Sequence, residues 1–159
     1  MAPTNRLVRL RRRKGLRGLS RTLLGLYGVE LPAQVEVGAG FELRHGGFGV
    51  VVNRHTTIGD RVTIFHGVTI GRADATLVPY HSTDFVGVEI GDDVILGTGS
   101  IVLGGPGVTR VAEGTVLGAG SVLLRSTGPW EIWAGSPARK VGDRPRPGGS
   151  EPVPRPPMG

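Results

Sequence analysis

From about residue 35 onward, large aliphatic residues recur at every sixth position, and glycine often follows them. Val37-Gly38-Ala39 and Leu43 open the series. Ile58-Gly59-Asp60, Ile64 and Ile70-Gly71 continue it. Ile90-Gly91-Asp92, Leu96-Gly97-Thr98 and Val102 form a further set, and Val111, Leu117-Gly118-Ala119 and Leu123 the last. A period of six matches neither an amphipathic helix nor the two-residue alternation of a hairpin ladder. It predicts a triangular coil with six residues on each flat side. One aliphatic residue per side points inward, and a small residue or Gly-Asp turns the corner. Three sides complete a turn, so about four turns are expected, with parallel strands stacked from turn to turn.

Outside the repeats the pattern changes. Leu16, Leu19, Leu23 and Leu26 recur at helical spacing, which predicts one helix or two short ones within residues 6–27, weakened by Gly15 and Gly18. A stacked coil exposes an apolar face at each end, so this segment is expected to cover the first coil. Two phase breaks interrupt the series: a long one from Gly71 to Phe85, and a shorter one at Gly104-Gly105-Pro106-Gly107. Loops that leave a solenoid are candidate functional parts. Residues 143–159 contain six prolines and almost no large apolar group, so they are expected to stay disordered. The expected organisation is a basic helical segment at 1–27, a repeat domain at 28–142 and a tail at 143–159.

Composition agrees with turns rather than a globular core. There are 28 glycines and 12 prolines, and only eight Phe, Trp and Tyr residues together. With no cysteine, the chain has no disulfide framework, thiol nucleophile or thiolate metal site, which fits a cytoplasmic location. Charge is unevenly placed. Residues 1–27 carry eight basic side chains and no acid, against a total of +6, so the remainder carries 6 − 8 = −2. Such a stripe suits a solvated helix face near a polyanionic cofactor, or contact of residues 6–27 with a membrane surface. A nucleic-acid partner is not expected. No apolar run is long enough to span a bilayer.

Four stretches carry a family resemblance: Gly-Val-Glu-Leu-Pro at 28–32, Leu-Arg-His-Gly-Gly at 43–47, Ile-Phe-His-Gly-Val-Thr-Ile-Gly at 64–71 and Ala-Gly-Ser-Pro-Ala-Arg at 134–139. Through them, about 115 of the 159 residues resemble the hexapeptide-repeat acyltransferases, and most nearly serine O-acetyltransferase and related sugar and polysaccharide O-acetyltransferases. The resemblance implies an all-β, left-handed parallel β-helix and a homotrimer with sites at subunit junctions. It implies acetyl-CoA, or another acyl-CoA, as co-substrate, and no metal.

By the same resemblance, His45 is the base that takes the proton from the acceptor hydroxyl. Glu30, fifteen residues earlier, is the acid that holds its ring. A hydroxyl attacks a thioester only weakly until it loses its proton, and imidazole accepts one near neutral pH. A carboxylate on the other ring nitrogen would set the tautomer and stabilise the imidazolium. Gly71, Arg72, Gly97, Thr98 and Ala119 are the positions expected to line the coenzyme A groove, and a backbone N–H near Gly71 is a candidate oxyanion donor. Arg44, His66 and His81 are candidates for acceptor contact.

The serine enzymes carry an acid directly before the base, where this chain has Arg44. They also carry an Arg-His pair after the loop, which aligns here near Val86-Gly87. A sugar, glycan or metabolite hydroxyl is therefore the expected acceptor, with serine as the alternative. Two further alternatives are a non-catalytic scaffold with a basic anchor, and a zinc carbonic anhydrase drawing on His45, His66 and His81.

Overall fold

In the computed structural model, residues 2–11, 13, 15–73 and 84–147 are described. Helices α1 (Pro3–Leu10) and α2 (Arg17–Leu26) precede a coil of short strands. Its first turn comprises β1 (Glu36–Val37), β2 (Glu42–Leu43) and β3 (Val51–Val52). The second comprises β4 (Thr56–Ile58), β5 (Thr63–Ile64) and β6 (Thr69–Arg72). The third comprises β7 (Phe85–Ile90), β8 (Ile95–Leu96) and β9 (Ile101–Gly104). The fourth comprises β10 (Gly107–Val111), β11 (Val116–Leu117) and β12 (Val122–Leu123). Strands β13 (Glu131–Gly135) and β14 (Ala138–Asp143) close the end. From β1 to β12, every third strand stacks on one face. Face one is β1-β4-β7-β10, face two is β2-β5-β8-β11-β13-β14, and face three is β3-β6-β9-β12. All pairings are parallel except β13 with β14.

Register aligns the aliphatic residues into columns along the axis. Val37, Ile58, Ile90 and Val111 form the column of face one. Leu43, Ile64, Leu96, Leu117 and Trp133 form that of face two. Val52, Ile70, Val102 and Leu123 form that of face three. The expectation of one inward residue per side was incomplete, because the residue two positions earlier is buried as well. Face one adds Val35, Thr56, Val88 and Thr109; face two adds Phe41, Val62, Val94 and Thr115; face three adds Val50, Val68, Ser100 and Ser121. Side chains in extended chain alternate with a period of two, so two residues of each side reach the axis. The second position is Thr or Ser on all three faces of the fourth turn, and also at Thr56 and Ser100.

Both ends of the stack are covered. Leu24 and Val8 are buried against the first turn. The Asn5 amide donates to the Leu43 carbonyl (3.2 Å), and its oxygen accepts from the Leu43 N–H (2.8 Å), so one side chain replaces a missing strand. Arg11 is buried and donates to the carbonyls of Leu31 (2.9 Å), Pro32 and Val35 (3.0 Å). At the far end, the Glu131 carboxylate accepts from the Trp133 indole (2.8 Å) and the Gly128 N–H (2.7 Å), and pairs with Lys140 (3.0 Å).

Packing continues beyond the expected boundary at residue 142. Arg144 donates to the carbonyls of Asp93 (2.7 Å) and Gly114 (3.0 Å) and lies over the Trp130 ring. A guanidinium with two carbonyls and an indole face available is held without a large apolar group. Residues 148–159 lie outside the described residues, as do 74–83 of the long phase break. The shorter break returns against the end of the longer one, with Gly107 N–H donating to the Asp84 carbonyl (2.6 Å). Among the described residues, no helix is long and apolar enough to cross a membrane.

Leu96 is fully buried between Ile64 and Leu117. Leu96→Ala is expected to cost about 3 kcal/mol, read from the urea midpoint, because the coils above and below cannot collapse into the gap. Acid should also weaken the fold. Hydrogen bonding to Arg61 holds the Asp93 carboxyl below its ordinary value, and hydrogen bonding to the Trp133 indole, then to Lys140 and Gly128, does the same for Glu131. A lowered folded value means that this stabilisation is complete above the unfolded value of about 4 and is lost as pH falls through the folded one. Glu131→Gln should therefore lower stability at neutral pH and flatten its decline under acid, measured by urea unfolding across the pH range.

Candidate active site

The corner between faces two and three collects the candidate chemistry. Counting two residues beyond each aliphatic of face two gives His45 after Leu43, His66 after Ile64, Thr98 after Leu96 and Ala119 after Leu117. Along this edge, Gly99 N–H donates to the His66 carbonyl (3.0 Å) and Gly120 N–H to the Thr98 carbonyl (2.8 Å), so successive corners are tied together.

The first corner differs from the rest. The path from Leu43 to Val52 is three residues longer than the path from Ile64 to Ile70. The excess forms a 3₁₀ turn over Arg44–Gly47, in which His45 has φ 51°, Gly46 has φ 73° and Gly47 has φ 69°. Left-handed backbone is unfavourable for histidine and easy for the two glycines beside it. His45 is thereby lifted from the prism and exposed. Its ring meets His66 edge-on at 5.1 Å between centroids and lies 5.9 Å from Phe65. His66 is half-buried, and its Nδ1 is buried without a hydrogen-bond partner.

The expected contact between Glu30 and His45 is not formed within this chain. Glu30 bridges Val51 on face three, its N–H donating to the Val50 carbonyl (2.8 Å) and its carbonyl accepting from the Val52 N–H (2.9 Å). Its exposed side chain borders a groove of about 510 Å³ shared with Arg21, Asn53, Arg54, Gly71 and Arg72. Among the described residues, no hydrogen bond or ion pair joins Glu30 to His45. The three extra residues carry the imidazole out at the corner, while Glu30 stays on the flat face. The neighbours of the His45 ring are aromatic instead.

The expected groove residues divide into two places. Gly97, Thr98 and Ala119 lie on the histidine edge. Gly71 and Arg72 lie at the far end of β6 on face three, with the Arg72 guanidinium 4.8 Å over the Phe85 ring. Arg44 is paired with Glu42 at 3.5 Å, both partly exposed, so its charge is partly offset. Glu42 and Phe65 were missed in the sequence. The signal was their register, since Phe65 follows Ile64 as Arg44 follows Leu43. His81 lies outside the described residues.

The edge below His66 fits an extended ligand. Gly67, Gly99 and Gly120 have φ of 71°, 62° and 65°, and a side chain built at Gly99 or Gly120 would meet nothing within 4 Å. Among the described residues, the N–H groups of Thr98 and Ala119 donate to no protein acceptor. The rim thus offers backbone donors on a strip clear of bulky side chains.

No protein-family model matches the chain. It is 32% identical over 117 residues to serine acetyltransferase 4 of Arabidopsis thaliana, covering 74% of this chain and 30% of that protein. It is 38% identical over 88 residues to a serine acetyltransferase of Helicobacter pylori, covering 55% and 47%. It is 37% identical over 91 residues to the Escherichia coli protein WcaB, assigned as a colanic acid biosynthesis acetyltransferase, covering 48% and 54%. The chain thus spans from 30% to 54% of the length of these relatives. Among solved structures, serine acetyltransferase of Neisseria gonorrhoeae superposes with a TM-score of 0.68 at 26% identity, covering 84% of this chain and 50% of that one. The Vibrio cholerae enzyme gives 0.68 at 30%, covering 91% and 52%. In sequence and in fold, a left-handed parallel β-helix, the chain resembles the serine acetyltransferases and, in sequence, a colanic acid biosynthesis acetyltransferase.

Proposed function

We propose that this chain is an acyl-CoA-dependent O-acetyltransferase in which His45 is the general base. The observation that carries the reading is the exposed His45 imidazole at the head of an edge whose lower rim is bare backbone. A Brucella abortus relative of similar fold is described in complex with coenzyme A, which supports the same co-substrate here. Acetyl-CoA would supply an acetyl group activated as a thioester. Thr98 and Ala119 would hold it through their backbone N–H groups. His45 would take the proton from an acceptor hydroxyl and later return it to the departing sulfur. His66 and Phe65 would keep the ring upright, and Gly46 and Gly47 would leave room for the acceptor.

A sugar or glycan hydroxyl is the acceptor we favour, and the relative of colanic acid biosynthesis supports it. Arg44 stands directly before the base, and a cation there disfavours an ammonium group nearby even when Glu42 offsets part of its charge. Serine is the second reading, favoured by the Arabidopsis thaliana and Helicobacter pylori relatives and by a Neisseria gonorrhoeae structure in complex with serine.

We further infer a homotrimer with sites at the junctions. The histidine edge is open on a single chain, and Phe48 beside it is 71% exposed, as an interface residue would be before assembly. The need for acyl-CoA supports a cytoplasmic location.

The test is thiol release from acetyl-CoA in the presence of serine, simple sugars and oligosaccharides. His45→Ala is expected to lower turnover at least ~10²-fold, the scale of a lost general base. An alanine variant with full activity defeats the reading. Glu30→Gln is expected to lower turnover by less than about tenfold, because no hydrogen bond ties that carboxylate to the ring. Light scattering should return three times the chain mass; a monomer would leave the edge without a second wall.

A further inference from the structure

A second pocket lies at a different corner of the coil and shares no lining residue with the histidine edge. It opens between the helical lid and the first corner of the coil, where β1 turns into β2, and has a volume of about 310 Å³. Its walls are Arg9, Arg11 and Arg17 on the lid, with Val35, Gly40 and Phe41 among the residues of the coil. Among the described residues, no acidic side chain lines it. The nearby Asp60 is engaged elsewhere, accepting from the Ala39 N–H at 2.6 Å and facing Arg61.

Arg11 is the unusual member. It is only 3% exposed, yet none of its partners carries a negative charge. Its two terminal nitrogens are satisfied by carbonyls, while its Nε is buried without a partner. Burial, and then the charge of Arg17, push its pKa down to about 10. Burying a cation against neutral carbonyls and a second cation is costly unless an anion joins them.

We propose that this pocket binds a phosphate ester, with Arg9 and Arg17 as its ligands and the buried charge of Arg11 behind them. Guanidinium groups present planar forks of donors that match phosphate oxygens two at a time. A phosphate monoester brings three terminal oxygens and up to two negative charges, against two oxygens and one charge for a carboxylate, and so answers the clustered cations better. The volume exceeds that of a bare phosphate group, and Val35 and Phe41 provide an apolar wall for the organic remainder of the ester. The ester could be a soluble metabolite or a lipid headgroup. Leu19, Leu26 and Tyr27 on and just after α2 are exposed, as a lipid source would require. The site is independent of the chemistry assigned to His45.

The experiment is thermal melting of the full chain in zero to about 20 mM inorganic phosphate, with ionic strength held constant by chloride. The wild-type Tm is expected to rise by about 3 °C or more, and that of an Arg9→Gln/Arg17→Gln variant to stay unchanged. Arg11 is left in place because it ties the lid to the coil. If the double variant does not fold, Arg17→Gln alone supplies the comparison. A wild-type Tm that ignores phosphate, or rises equally in the variant, overturns the proposal. The source is then read from sedimentation with phosphatidylglycerol and phosphatidylcholine vesicles. Retention on phosphatidylglycerol alone, released by phosphate and absent in the variant, identifies a lipid headgroup. A phosphate-dependent Tm without vesicle retention identifies a soluble ester. Retention equal in wild type and variant, with no Tm response, overturns the pocket as the site.

Discussion

The molecule depends on the stacking of side chains in register along one axis. No single turn of this coil can bury its own inward residues, since each needs the turn above and the turn below. The same stacking pairs the backbone, because strand N–H and C=O groups find partners on neighbouring turns. Both requirements fail at the ends, and the chain answers each with polar side chains as well as apolar ones. Asn5 and Arg11 satisfy backbone groups of the first turn. Glu131 and Arg144 fasten the last turns.

That constraint also determines where chemistry can reside. Leu43 and Val52 are held in their columns by Ile64 and Ile70 below them. Extra residues between two fixed points can only go outward. The three additional residues of the first corner therefore carry His45 into solvent, while the regular corners beneath stay narrow. The His45 ring gains its neighbours from the next turn, through the same stacking that builds the core. Glu30 is held to face three by backbone bonding to the Val50–Val52 segment and is not carried out with it.

Charge follows a different logic at the lid. The basic segment looks from composition like one solvated face, but its arginines are not equivalent. Arg11 turns inward and ties the lid to the coil, whereas Arg9 and Arg17 share a pocket with it. A cation-rich seam remains beside an otherwise mildly acidic solenoid. Its self-repulsion is relieved only in part by the carbonyls that Arg11 reaches.

The six-residue period by itself determined the architecture, its three columns and the near-count of its turns, because a stacked coil writes its geometry into local spacing. Helix α2, which carries Leu19, Leu23 and Leu26, was legible for the same reason, whereas α1 begins at Pro3, ahead of the expected segment. The corner position shared by His45, His66, Thr98 and Ala119 was also written there, as two residues beyond each aliphatic of face two. Tertiary structure alone decided which side chains meet. Fifteen residues between Glu30 and His45 measure distance along the coil, and a bulge of three residues moves an imidazole off that path. The separation of Gly71 and Arg72 from the histidine edge, the pairing of Arg44 with Glu42 and the inward turn of Arg11 are likewise contacts across turns. Such contacts depend on rotamers and register in three dimensions, which a linear period does not encode.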